Sequence, residues 1–326
     1  MKLFLTGATG FVGRNCLLQA FAQYDEFFVP VRSAEKLRSQ LVAEGLDATP
    51  PKLHILSANP KEWFDLAPDH AILGAGVLFA RNRDEYFTTN VDWTLRVLRA
   101  LPEKCRVVVL SSLSAGGPTP AGKSARSGTD PDAPITWYGE SKLALEKSLR
   151  SEFPDRDITI LRPPMILGPR DTATLPLFRM ARNPIRIKPG FQTKSYSFIA
   201  VEDLVEAIFT VLAANPLPAE SFYVAAPQPA TDWQLIAGAA AAMRAPGLTL
   251  PVPLTALRLL SALVDAVPAL RAKTPSLTRD RAREIWPDRW VVDGANFSRL
   301  TGWQARRGLP ETLQAAHAHY VREGSL

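Results

Sequence analysis

Short apolar runs alternate with amphipathic segments through the first half of the chain. LFLTG (3–7) reads as a strand ending in a glycine turn, and residues 11–24 read as a helix. FFVPV (27–31), LHIL (53–56) and AILGAG (71–76) follow as three more strands. Residues 91–101 pattern as a helix, and RVVVLSS (106–112) is a strand unbroken by charge from Val107 to Leu110. ITILRPP (158–164) supplies a sixth strand. Strands of continuous Val, Leu and Ile, separated by helices, are what a parallel sheet covered on both faces requires. The expected fold class is therefore α/β, a doubly wound parallel sheet (Rossmann) over residues 1–165.

The second half has a different texture. Of the 28 prolines, 11 fall in residues 1–160 and 17 in residues 161–326. Pro-rich connections at 163–189, 216–229 and 246–253 predict long loops between short elements. Helical patterns occupy 201–214, 231–244 and 310–323. Residues 166–192 and 214–326 are thus expected to form a smaller, irregular substrate domain, with 193–213 returning to the sheet. The apolar stretch 254–270, broken by Arg258, Asp265 and Pro268, reads as a packed core helix; capping a substrate pocket is its alternative role.

Composition narrows the class. With 46% hydrophobic and 21% charged residues in 326, the chain is neither disordered nor a disulfide scaffold. No uncharged apolar run reaches the roughly 20 residues of a membrane helix, so no integral membrane segment is expected. The 38 basic residues exceed the 32 acidic ones, but Lys and Arg are scattered, which argues against a nucleic-acid partner. The two cysteines, Cys16 and Cys105, form no CxxC pair. His317 and His319 stand two apart on a helical pattern and point to different faces, so no metal site is expected. A reducing, cytoplasmic location is the matching expectation.

Chemistry enters at the first turn. In TGATGFVG (6–13), Gly7, Gly10 and Gly13 lie between the first strand and the first helix. Such glycines allow a tight turn, close approach of backbone to a pyrophosphate, and tight helix–sheet packing. The helix N-terminus then presents free N–H groups to the anion. Beyond the second strand, an acid would bind the adenosine 2′-hydroxyl, whereas an arginine would pair with a 2′-phosphate. The chain has Arg32 there and Lys36 close behind, which selects NADP, with NAD as the alternative.

WYGESK (137–142) carries Tyr138 and Lys142 one helical turn apart, with Thr136 as the expected N-cap. An ammonium on the same face would favour the phenolate and prepare Tyr138 for proton transfer near neutral pH. Ser111, Ser112 and Ser114 close the 106–110 strand, where ligands bind in such sheets. A hydroxyl there could hold a substrate oxygen while Tyr138 moves its proton.

Together these pieces resemble an extended short-chain dehydrogenase/reductase, the superfamily that includes the NAD-dependent epimerase/dehydratases. The matching strings are TGATGFVG, GAG (74–76), TTNVDWT (88–94), VVVLSSLSAGG, WYGESKLALE, LRPPMILGPRD and FIAVEDL (198–204), and they span roughly residues 1–210. The resemblance implies that Ser112 orients the reacting oxygen and Tyr138 carries its proton. It further implies that Lys142 holds the nicotinamide ribose and tunes Tyr138. Backbone at Gly10, Phe11 and Val12 would meet the pyrophosphate, Ala75 and Gly76 the adenosine, and Pro163 and Met165 the nicotinamide. A homodimer through helices of the dinucleotide domain is also implied. Two departures stand out: no acid follows the third strand (Leu56-Ser57-Ala58-Asn59), and Trp93 takes a glycine position after Asn90.

Nucleotide-sugar members of the superfamily grip a diphosphate with an Asn and an Arg. Their positions fall on Met165 and Tyr196 here, although Arg170, Lys188 and Lys194 lie nearby in sequence and offer another phosphate contact. The leading expectation is an NADP(H)-dependent oxidoreductase interconverting a ketone and a secondary alcohol on a small, partly apolar molecule. The alternative is a nucleotide-sugar 4-epimerase or dehydratase with tightly bound NAD. A non-catalytic cofactor-sensing protein is disfavoured, because such proteins commonly lose the Tyr or the Lys.

Overall fold

The computed structural model describes residues 1–63, 66–274 and 277–326. The six expected strands all form: β1 (Lys2–Thr6), β2 (Glu26–Pro30), β3 (Leu53–Leu56), β4 (His70–Leu73), β5 (Arg106–Leu110) and β6 (Ile158–Arg162). Between them run α1 (Phe11–Ala20), α2 (Ala34–Ala43), α3 (Arg83–Phe87), α4 (Trp93–Ala100), α5 (Leu113–Gly116) and α6 (Trp137–Glu152). A π-helical turn at Thr88–Asp92 joins α3 to α4. The expected helix over 11–24 ends four residues early, at Ala20.

The chain then continues through β7 (Met165–Leu167), α7 (Leu175–Ala181), β8 (Ile185–Pro189), β9 (Ser195–Tyr196), β10 (Phe198–Ala200) and α8 (Val201–Ala213). Next come β11 (Ser221–Tyr223), β12 (Ala230–Thr231), α9 (Asp232–Ala242), β13 (Leu248–Val252), α10 (Leu254–Ala266) and α11 (Pro268–Lys273). The chain closes with α12 (Arg279–Ala282), β14 (Arg289–Trp290), α13 (Ala295–Thr301) and α14 (Leu309–Arg322).

The main sheet has seven strands in the order β11–β6–β5–β4–β1–β2–β3, and every pair is parallel. Connections reverse direction between β1 and β4, which opens a crevice at their C-terminal ends. Alternate residues feed two cores. Leu3, Leu5 and Val108 pack with α1 and α8, while Phe4, Val107 and Val109 pack with α4 and α6. β11 lies in the stretch expected to belong wholly to the substrate part, yet it pairs with β6 and completes this sheet.

Segment 254–270 is not the packed core helix that its composition suggests. It divides before Pro268 into α10 and α11, and α10 buries only Ser261 and Val264. Among the described residues, no helix is long and apolar enough to cross a membrane.

Candidate active site

The glycine turn is built as its spacing requires. Gly7 has φ of 77°, in the left-handed region, and a Cβ there would stand 2.9 Å from the Ala75 backbone nitrogen. A Cβ at Gly13 would lie 2.2 Å from the Gly7 carbonyl oxygen, so any larger residue would push α1 off the turn. α1 starts without a side-chain cap. Its first-turn backbone therefore borders a cavity of about 530 Å³, lined by Gly7, Gly10, Phe11, Val12 and Gly13 on this side. A capless helix start behind a glycine turn is a fitting seat for a pyrophosphate.

Ser112, Tyr138 and Lys142 line the same cavity. Thr136 caps α6 by accepting the Gly139 N–H at 3.2 Å. A Cβ at Gly139 would sit 2.3 Å from the Ser114 carbonyl oxygen, so glycine lets α6 press against α5. That contact brings the Tyr138 hydroxyl within electrostatic reach of Ser112, whose Oγ accepts the Ser114 N–H at 3.1 Å. Burial pushes the Tyr138 pKa up, while the Ser112 hydroxyl and the positive charge of Arg281 oppose the rise.

Lys142 faces the end of β5, where its ammonium donates to the Leu110 carbonyl at 2.5 Å. Burial draws its pKa down to about 8, against the pull of the Glu146 carboxylate one turn further along α6. The cation acting on the Tyr138 phenol is instead Arg281, from α12. Its guanidinium lies 5.2 Å from the Tyr138 ring centroid and 5.5 Å from that of Phe79. Glu284 holds it at 2.9 Å, and among the described residues its buried Nε has no hydrogen-bond partner. Nothing in the sequence singled out Arg281, because no motif surrounds it.

Asn90 is a second group whose work sequence reasoning missed. It is buried, accepts the Val77 N–H at 2.8 Å and donates to Ser141 Oγ at 2.9 Å. Ser141 in turn donates to the Tyr138 carbonyl at 2.8 Å. The π-helical turn thereby ties the loop after β4 to the start of α6. The two departures noted in the sequence also meet, since the Trp93 indole donates to the Ala58 carbonyl at 3.4 Å. Trp63 donates to the neighbouring Ser57 carbonyl at 2.9 Å, so indoles brace the exit of β3.

The remaining expected residues divide. Gly76, Pro163 and Met165 line the cavity. Ala75 donates its N–H to Thr6 Oγ1 at 3.1 Å, behind the wall. Arg32 is exposed just beyond β2, outside the cavity lining. Met165 and Tyr196 both face the cavity. The three cations expected as spare phosphate contacts are engaged elsewhere. Arg170 pairs with Glu44 at 2.5 Å, and Lys188 pairs with Asp232 at 2.9 Å. Lys194 donates to the carbonyls of Ile285 and Trp286. A second cavity, of about 780 Å³, lies between α9, α14 and the 305–310 loop and holds none of the three candidate groups.

Residues 3–225 match the NAD dependent epimerase/dehydratase family. Ceramide reductase from Caulobacter vibrioides is 28% identical over 300 residues, covering 89% of this chain and 86% of the relative. The dTDP-glucose 4,6-dehydratase DesIV from Streptomyces venezuelae, solved with NAD, superposes with a TM-score of 0.78 at 17% identity. That match spans 100% of this chain and 98% of DesIV. UDP-glucuronic acid 4-epimerase from Bacillus cereus, solved with UDP-glucuronic acid and NAD, gives 0.75 at 16% identity over 99% of this chain and 100% of the epimerase. The chain belongs to the NAD dependent epimerase/dehydratase family and is an NAD(P)-dependent oxidoreductase of the extended short-chain dehydrogenase/reductase type.

Proposed function

We propose that the protein is an NADP(H)-dependent reductase that interconverts a ketone and a secondary alcohol on an apolar, lipid-like molecule. The observation that carries this reading is the cavity wall. Met165 and Tyr196 face it where a nucleotide-sugar enzyme would place its diphosphate grip. Arg170, Lys188 and Lys194 are committed to partners of their own. A diphosphate set against Met165 and Tyr196 would receive no charge-assisted bonds from those two positions. The likeness to ceramide reductase runs the same way. The nucleotide-sugar reading draws on structural neighbours at 16–17% identity, which speak to the fold alone.

The nicotinamide cofactor supplies or accepts the hydride when bound. Ser112 Oγ holds the substrate oxygen, and Tyr138 gives that oxygen its phenolic proton in reduction and takes it back in oxidation. Burial moves the Tyr138 pKa away from neutrality, and Ser112 and the Arg281 charge counter that rise, so these two neighbours favour proton release by the phenol. Lys142 holds the ribose on the nicotinamide side, and the residues outside the main sheet shape the substrate wall. We place the enzyme in the cytoplasm. Incubation with NADPH and long-chain keto amides should oxidise the cofactor. Turnover of a UDP- or dTDP-sugar with no net cofactor oxidation would overturn the assignment.

NADP is our choice of cofactor because Arg32 stands exposed at the β2–α2 turn, where Ser33 caps α2 by accepting the Lys36 N–H at 3.1 Å. A charge-assisted contact contributes about 1.5–3 kcal/mol, so Arg32→Ala should weaken NADPH binding roughly 10–150-fold. NADH binding should stay unchanged. Equal losses for both nucleotides, measured by fluorescence titration, would contradict the role.

Lys142 gives a pH prediction. Its pKa lies near 8 instead of the usual value of 10.5, so the cation is progressively lost as pH rises through about 8. NADPH affinity should fall over that interval, and Lys142→Met should bind weakly with a flat profile. A flat wild-type profile from neutral to alkaline pH would contradict the assignment.

A further inference from the structure

The ribbon formed by β8 and β13 reverses the usual sidedness of a strand. Its charged residues point inward. Lys188 donates to the Gly190 and Gln192 carbonyls at 2.8 Å as well as pairing with Asp232. Arg186 donates to the Ala245 carbonyl at 2.7 Å. Side chains alternate along a strand, so Ile185 and Ile187 point outward, 63% and 51% exposed. In the parallel register Leu248 stands beside Ile185 and Leu250 beside Ile187. Those leucines are 63% and 42% exposed. Four large aliphatic side chains therefore share one water-facing patch, and contiguous patches of this kind mark interaction surfaces.

The patch continues beyond the ribbon. Phe191, just past β8, is 66% exposed. At Gly190 the chain comes so close to Leu254 that a Cβ would meet its side chain at 3.3 Å, which sets the start of α10 against the end of the ribbon. Leu259, Leu260 and Leu263 of α10 are exposed as well. Besides the inward Arg186 and Lys188, segments 179–191 and 244–271, which build this surface, contain five Arg and a single acid. That acid, Asp265, accepts the Arg279 N–H at 3.0 Å. Arg179, Arg182, Arg244 and Arg258 are exposed.

We infer that this face docks on an anionic bilayer surface, the ribbon and α10 entering the interface while the arginines meet lipid headgroups. Apolar burial combined with attraction of basic side chains to anionic lipid is the physics of monotopic binding. Charge decides against a second copy of the chain, because a two-fold axis would bring two equally basic faces together. The surface also adjoins the candidate active site. α10 packs on α12, which carries Arg281 into the cavity. Arg271 of α11 donates to the Arg81 carbonyl at 2.6 Å, close behind Leu78 of the cavity wall. The inference rests on the surface itself and stands or falls separately from the proposed reaction.

The test is cosedimentation of the full chain with vesicles of phosphatidylcholine alone or mixed with phosphatidylglycerol. Wild type should pellet with the mixed vesicles and be released by salt. Two independent double variants, Leu259→Gln/Leu263→Gln and Ile187→Thr/Leu250→Thr, should each weaken partitioning about tenfold or more. NADPH binding checks that both remain folded. Wild type staying in the supernatant with mixed vesicles would overturn the inference, as would equal binding to both vesicle types. A dimer in gel filtration that the same substitutions dissociate would overturn it too, assigning the face to a second copy.

Discussion

Replacing Tyr138 with Phe should lower turnover about 10²–10⁴-fold, the range a positioned general acid contributes. The substitution removes one oxygen and leaves the ring that packs against Arg281 and Tyr86. Affinity for NADPH should therefore stay within about twofold of wild type, since a shape-preserving change leaves the rest of the wall in place. Single-turnover kinetics with saturating NADPH separates the two effects. Turnover retained at the wild-type rate would remove Tyr138 from the chemistry and shift attention to Ser112 or bound water. Loss of cofactor binding together with turnover would indicate a structural role instead.

Glu146→Gln should cost about 1.5–3 kcal/mol of stability, because a neutral amide replaces a buried carboxylate that accepts several charge-assisted hydrogen bonds. Glu146 is fully buried and accepts Arg162 at 2.9 and 2.7 Å, the Ser221 hydroxyl at 2.7 Å, and the Ser111 hydroxyl. Arg162 also meets Asp132 at 2.7 and 2.9 Å, so the guanidinium keeps one carboxylate when the other is neutralised. The network lies one turn below Lys142 and links β5, β6, β11 and α6. Because the Glu146 charge raises the Lys142 pKa, its removal should move the break in NADPH binding below pH 8. Urea denaturation reads the first effect and the pH profile the second. Unchanged stability would mean that the ion pair is no stronger than the hydrogen bonds that replace it.

The six strands and the glycine turn were legible because strands buried on both faces leave continuous apolar runs, and because the turn's glycines are required at fixed spacing. Thr136 was readable as a cap for the same local reason: it accepts the N–H three residues on. Tertiary placement was not readable. The Tyr138–Lys142 spacing puts both on one helix face, but it does not reveal that the lysine reaches the Leu110 carbonyl instead of the phenol. Arg281 belongs to a four-residue helix with no motif around it, and only the docking of α12 brings it to the Tyr138 ring. Composition likewise misassigned segment 254–270. Leucine at helical spacing looks the same whether the face is covered by protein or left open, and α10 leaves it open.

Cofactor exchange is the property on which the reductase reading turns. A reductase must release its nucleotide every cycle, whereas an epimerase returns the hydride it removed and can keep its cofactor bound. The decisive measurement is to denature freshly purified protein and quantify the nucleotide released. Little or no bound nucleotide is expected, with ready binding of added NADPH by the native protein. Near-stoichiometric NAD would contradict it and point to an epimerase or dehydratase.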